Sequence, residues 1–167
     1  MRQPCNIILS LVFTTAAPGA AWLYQQFNDA WFYIIGIQEG RAPSDAESRS
    51  AHFVQFVGGA TQTSTLGCQT WLHKRLRPKT TAVVHHSPRL SEVRFVSAVM
   101  PGEWAVDAAR APHSGHVLSV RNAFWDDLGA ALRRIHDDGL GDRLALLLDA
   151  NARVWASFAG MLAHWRG

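Results

Sequence analysis

Two acidic residues stand where hydrophobic runs end. Trp31 to Arg41 reads WFYIIGIQEGR, in which the run Phe32 to Ile37 is followed by Glu39. Leu144 to Leu148 is a continuous apolar run that finishes in Asp149-Ala150-Asn151. Runs of this length and composition predict short buried strands, and strand ends are where α/β sheets hold ligands. A carboxylate beside a buried strand is kept there when it is paired, metal-bound or at a rim. Each acid also has a plainer reading. Glu39 could be a solvated loop residue paired with Arg41, and Asp149 with Asn151 could form an Asx-type turn after a strand. That two strands far apart in the chain each deliver an acid at the C-terminal end favours chemistry at both.

The elements that must position these acids can be read from the rest of the chain. Asn6 to Phe13 predicts the first core strand. Pro18-Gly19 then opens a helix in which Leu23, Phe27 and Ala30 recur at helical spacing, with Tyr24, Gln25, Gln26 and Asn28 on the other face. Followed by the strand Ile34 to Gln38, this is a β-α-β unit, which predicts two parallel strands joined by a right-handed crossover. Arg41 to Ser50 is polar and predicts a loop, so Glu39 is expected at a loop-lined rim. From His52 the pattern changes to short strands and turns: His52 to Val57, Gly67 to His73, Ala82 to His86 and Ser91 to Val96, arranged as antiparallel hairpins. Lys74, Arg75, Arg77 and Lys79 cluster around Pro78, either as a solvated connection or as a phosphate contact. Trp104 to Ala109 predicts another strand, ending in Arg110-Ala111-Pro112-His113-Ser114. Ser119 is placed to cap a helix with Val120, Phe124, Leu128, Leu132 and Ile135 inward. Asp126 and Asp127 come early and Arg133 and Arg134 late, as the helix dipole favours, and Gly139 and Gly141 stop it.

Composition narrows the class. A chain of 167 residues is about one ordinary domain, and 48% hydrophobic residues can fill its core. Sixteen Lys and Arg against 13 Asp and Glu give a charge of +3, which permits a polyanionic partner without demanding one. Cys5 and Cys68 lie far apart and without ligand spacing, so neither a zinc site nor a disulfide framework is indicated. A reduced intracellular setting, nuclear or cytoplasmic, fits that usage. Arg2, the run Ile7 to Phe13 and the small residues Thr14 to Ala17 also imitate a signal peptide, a reading that competes with the first strand. No stretch is long enough to span a membrane.

The order of these features resembles the endonuclease/exonuclease/phosphatase superfamily, the DNase-I-like metal hydrolases. The residues that carry the resemblance are Asn6 in CNIILSL, Glu39 in IGIQEGR, Arg110 in ARAPHSGH, and Asp149 with Asn151 in LLLDANARV. Phrases similar to IGIQEGR, LGCQTWL, APHSGH and FWDDL recur in the endonuclease domains that accompany reverse transcriptases. The resemblance runs to Val154. It implies an α+β fold, part of a four-layer α/β/β/α sandwich with two mixed sheets face to face and helices outside. It also implies Mg²⁺ or Mn²⁺ as cofactor, with Glu39 and Asn6 as metal ligands, and a nucleic-acid substrate, DNA in preference. Asp149 would orient or help deprotonate water, Asn151 would donate to the phosphate, and Arg110 would stand at the phosphate.

Two departures bear on activity. Arg110 occupies a position where relatives carry His or Tyr, and a guanidinium stabilises phosphate charge but stays protonated. His113 lies close by and could substitute, although an exposed loop His is the plainer reading. No Asp-His pair of the kind that closes the family's sequence pattern is present, which predicts a truncated domain over residues 1–154 with an open sheet edge that a partner chain could cover. In residues 155–167, Trp155, Phe158, Leu162 and Trp165 form one apolar stripe if helical. Two functions follow from these features: a metal-dependent nuclease, or a non-catalytic remnant that binds nucleic acid or a protein.

Overall fold

Leu23 and Phe27 recur one helical turn apart, and burying them makes the first helix a lid on a sheet. In the computed structural model, which describes residues 8–12, 20–40, 42, 44–59 and 67–150, and for 8–12, 20, 21, 39 and 40 the backbone alone, that helix is α1, Ala20–Asp29. Leu23 and Phe27 pack on Ile35, Ile37, Phe53 and Trp71. Tyr24 joins them, with its ring 4.9 Å from that of Trp71, and so does not share the polar face expected of it. The helix closes with Trp31 in the left-handed region at φ 60. Phe32 N–H donates to the Phe27 carbonyl and Trp31 N–H to that of Asn28, the paired bonds of a Schellman cap. Phe27 and Phe32 meet edge to face across it.

The cap turns the chain straight into β2, Ile34–Gly40, which pairs in parallel with β1, Ile8–Val12, as the β-α-β reading requires. Next come β3, Ala46–Arg49, β4, Phe53–Val57, and β5, Gly67–His73, giving a five-stranded mixed sheet in the order β1-β2-β5-β4-β3. The segment read as a loop therefore contains a strand. Its sequence AESR is exposed at every residue and pairs with β4 only, as an edge strand blunted by charge.

The second sheet consists of β6, Lys79–Ser87, β7, Leu90–Val96, β8, Glu103–Arg110, and β9, Leu144–Asp149, in that order. The first three are antiparallel neighbours, and β9 returns parallel to β8 after α2, Leu118–Asp137. Phe124, Leu128, Ala131 and Leu132 of α2 cover Leu90, Ala109 and Ala111 on the outer face. Val117, not Ser119, occupies the N-cap, Val120 is exposed, and no acid lies in the first turn, so the helix starts earlier and its apolar stripe sits further along than predicted. Gly139 at φ +76 ends it as expected. Ile34, Val54, Phe56 and Leu72 of one sheet interleave with Val93, Phe95, Val106, Ala145 and Leu147 of the other. The layers are thus helix, sheet, sheet, helix, the α+β sandwich predicted. Among the described residues no helix is long and apolar enough to cross a membrane.

The sheets approach each other tightly where β2 meets β9. A Cβ on Gly36 would lie 2.7 Å from Leu147 Cβ, so only glycine lets the strands approach this far. Gly36→Val is expected to cost about 1–3 kcal/mol by overpacking this contact, read as a lower urea midpoint. A midpoint equal to that of the parent would mean the sheets can part there without strain.

Candidate functional site

The contact at Gly36 fixes which ends of the chain meet. Two residues further along β2, Gln38 is fully buried and its Nε2 donates to the Leu147 carbonyl at 3.1 Å. Glu39 follows Gln38 in β2, and Asp149 lies two residues beyond Leu147 as the last residue of β9. The two strand ends that carry the acids therefore lie at one end of the sandwich. The β2–β5 register shifts between Ile37 and Gly40, which places a bulge on the segment holding Gln38 and Glu39. Bulges of this kind re-aim side chains and gather beside active sites. The side chain of Glu39, and Asn6 and Asn151 entirely, lie outside the described residues.

Arg110 and Asp149 are register partners where β8 and β9 end. Alternation along both strands turns them toward the space between the sheets, since Ala145 and Leu147 face the central core while Leu146 and Leu148 pack with α2. Arg110 Nε stands 3.6 Å from Asp149 Oδ2, with the side chains 12% and 14% exposed. This is an ion pair at a rim, long for a hydrogen bond, and largely screened from bulk water. The backbone ladder continues past it, with Ala111 N–H donating to the Asp149 carbonyl at 2.8 Å.

A second guanidinium joins from the tip of the β6–β7 hairpin. The Arg89 carbonyl accepts from Arg110 N–H at 2.8 Å, and Arg89 Nη2 donates to His116 Nε2 at 3.3 Å. His116 in turn packs against His113 in a tilted arrangement, ring centroids 4.2 Å apart. Burial and the neighbouring Arg110 charge lower the Arg89 pKa. His116 is lowered as well, by desolvation and then by His113, Arg89 and Arg110. Because an arginine can only donate, His116 Nε2 accepts in this bond, which makes the ring neutral with its proton on Nδ1. Cys68 lies beside this group, buried, and desolvation pushes its thiol up to about 12 against the opposing pull of Arg110 and Arg89. It is a packed thiol and no nucleophile. Two arginines, a neutral imidazole and one carboxylate at a rim make a site suited to a phosphate ester and to proton transfer near it.

No family model matches the sequence, and no curated protein does. Solved structures match in fold, among them the endonuclease domain of TRAS1, a telomere-specific non-LTR retrotransposon. That match has a TM-score of 0.65 at 13% identity and spans 94% of this chain and 69% of that one. The fold is the DNase-I-like sandwich. At that identity the likeness is one of architecture, and the resemblance read in IGIQEGR, APHSGH and LLLDANARV holds at that level.

In this DNase-I-like sandwich the structure brings together Arg110, Asp149 and the strand end bearing Glu39, three of the five positions singled out from sequence. His113 is the exposed loop residue of the plainer reading. The imidazole that reaches Arg89 is His116, the last residue of APHSGH, which the sequence reading gave no role, and Arg89 was not singled out in the sequence. Arg89 is an isolated cation in the hairpin turn Pro88-Arg89, and only the β7–β8 register, which sets Leu90 opposite Ala109, carries it to Arg110.

Proposed function

We propose that the chain is a divalent-metal-dependent phosphodiester hydrolase of the endonuclease type, acting on nucleic acid and on DNA in preference. The observation that supports this reading best is the convergence of Arg110, Asp149 and Arg89 with the Glu39 end of β2 at one rim of a DNase-I-like sandwich. Glu39 with Asn6 would hold Mg²⁺ or Mn²⁺. Among the described residues no three His, Cys, Asp or Glu side chains form a metal cluster, and these two ligands lie outside that description. Their carboxylate and amide oxygens are the hard donors such an ion takes. When bound, the ion would polarise a phosphoryl oxygen and ease ionisation of water.

The chain's own residues would do the rest. Arg89 and Arg110 bind the scissile phosphate and offset the charge that grows on it. Asp149, held by Arg110, orients the attacking water and receives its proton, and Asn151 donates to a phosphate oxygen. The partly shielded rim strengthens each of these contacts relative to water.

Nicking of supercoiled DNA with Mg²⁺ or Mn²⁺, set against EDTA and against the Glu39→Ala/Asp149→Ala double variant, tests the proposal. Metal-dependent nicking that the double variant loses is the expected result. Folded protein that binds DNA and never nicks it would establish the remnant instead.

A further inference from the structure

The opposite end of the sandwich carries a second polar recess. β5 runs antiparallel to β2, so Gly67 lies at the Glu39 end and His73 about 20 Å away at the other, judged from strand rise. There His73, a 3-10 turn over Lys74–Leu76, and Arg77 border a cavity of about 680 Å³ together with Asn28 and His52. Three cations line it and no acid does. None of Lys74, Arg75 and Arg77 has an ion-pair partner among the described residues, and the nearby Asp29 is engaged by the Gln25 and Asn28 amides.

The recess is held in shape by specific bonds. His73 Nδ1 accepts from Arg75 N–H at 2.9 Å and its Nε2 meets Asn28 Oδ1 at 3.1 Å, which fixes a neutral ring with the proton on Nε2. Desolvation and the charges of Arg75 and His52 keep that imidazole uncharged, its pKa lowered to about 4. Lys74 Nζ is tied to the Ser50 carbonyl at 2.5 Å. The Arg75 guanidinium lies 4.1 Å from the centroid of the Trp31 ring, which is 41% exposed. Arg77 closes the 3-10 turn in the left-handed region, its N–H bonded to the Lys74 carbonyl, and Trp31, beside the recess, meets it through Arg75.

We propose that this recess is a second ligand site, taking a nucleotide whose phosphate sits among Lys74, Arg75 and Arg77 and whose base stacks on the Trp31–Arg75 pair. The cations supply phosphate contacts, and the guanidinium layered on the indole supplies a flat platform for any base. A nucleotide of a single strand and a free mononucleotide offer the same chemistry. The site does not depend on the hydrolase reading, because it lies at the other end of the fold and needs no metal.

The test is NMR titration of the full chain in EDTA, following the Trp31 indole N–H and the Arg75 Nε–H, with an oligothymidylate, thymidine monophosphate and inorganic phosphate as probes. Saturable shifts from the oligonucleotide at concentrations at least tenfold below the mononucleotide assign the site to a strand. Equal response to the mononucleotide assigns it to the free nucleotide. Equal response to inorganic phosphate would overturn the stacking half of the proposal, and no response to any probe would overturn all of it. Arg77→Gly removes one cation while suiting the left-handed backbone, so it is expected to fold normally, weaken binding at least tenfold and lower the salt slope by about one. Unchanged affinity in that variant would equally overturn the proposal.

Discussion

Asp149→Asn is expected to lower metal-dependent nicking by about 10²–10⁴-fold, the range for losing a positioned proton acceptor, with DNA affinity little changed. The substitution preserves shape and a carbonyl oxygen facing Arg110 at the end of β9, but that oxygen can neither hold full charge nor take a proton from water. Arg110 then keeps its positive charge without a carboxylate 3.6 Å away, and a modest loss of stability accompanies the loss of rate. Arg110→Ala should behave differently. It removes a phosphate contact as well, so the apparent affinity for DNA falls together with the rate. If the ion pair merely closes the rim, the ordering reverses: Asp149→Asn lowers the urea midpoint and leaves the nicking rate close to that of the parent. Single-turnover rates alongside denaturation midpoints separate the two.

What could be read in advance was whatever hydrophobic pattern dictates. β2 and β9 are runs with too few polar residues to lie anywhere but inside, so their ends, and Asp149 at one of them, were visible as strand ends. The β-α-β unit and its parallel pairing follow from a strand, a helix and a strand in sequence. β3 was invisible because an exposed edge strand is held by backbone bonds to one neighbour, and AESR has the composition of a loop. Tyr24 was misplaced because a phenol can face either way, and here it follows Trp71. The site was legible in its acids and not in its cations. Arg89 meets Arg110 across the β7–β8 pairing, and no local pattern encodes a hairpin tip lying against the end of the next strand. The bulge at Gln38 and Glu39 was equally hidden, since a one-residue shift in pairing leaves the composition unchanged.

Asp107 is the residue whose replacement should help most. It sits in the middle of β8, fully buried on the face that α2 covers, and neither carboxylate oxygen has a hydrogen-bond partner among the described residues. Opposite it on β7 is Glu92, also buried, which is hydrogen-bonded to His86 and Arg94. Burial tends to raise the Glu92 pKa, but those two partners outweigh it and hold the group below its ordinary value. Asp107 has no such relief. Burial and the Glu92 charge push it up to about 7, against weaker opposition from His86, Arg134 and Arg94.

An acid raised in the folded state binds a proton that the unfolded chain has already released. Its effect on stability is therefore absent below about pH 4, grows as pH rises and levels off above about pH 7. Over that window the shift of roughly three units corresponds to a penalty of about 4 kcal/mol at full size. Glu92 acts in the opposite sense, contributing above its unfolded pKa and losing that contribution in acid, so the parent's own profile mixes the two. The comparison with Asp107→Asn isolates one group, since the amide cannot ionise and still fits the space. Its stability relative to the parent is expected to be about 2–4 kcal/mol more favourable at pH 8 than at pH 4, the cost of burying the amide being the same at both. Urea denaturation at pH 4, 6 and 8 measures it. A gain independent of pH would mean that the fold leaves the Asp107 pKa where the unfolded chain has it, and a loss at pH 8 would mean that Asp107 is ionised in the fold and stabilised by Arg94 and Arg134.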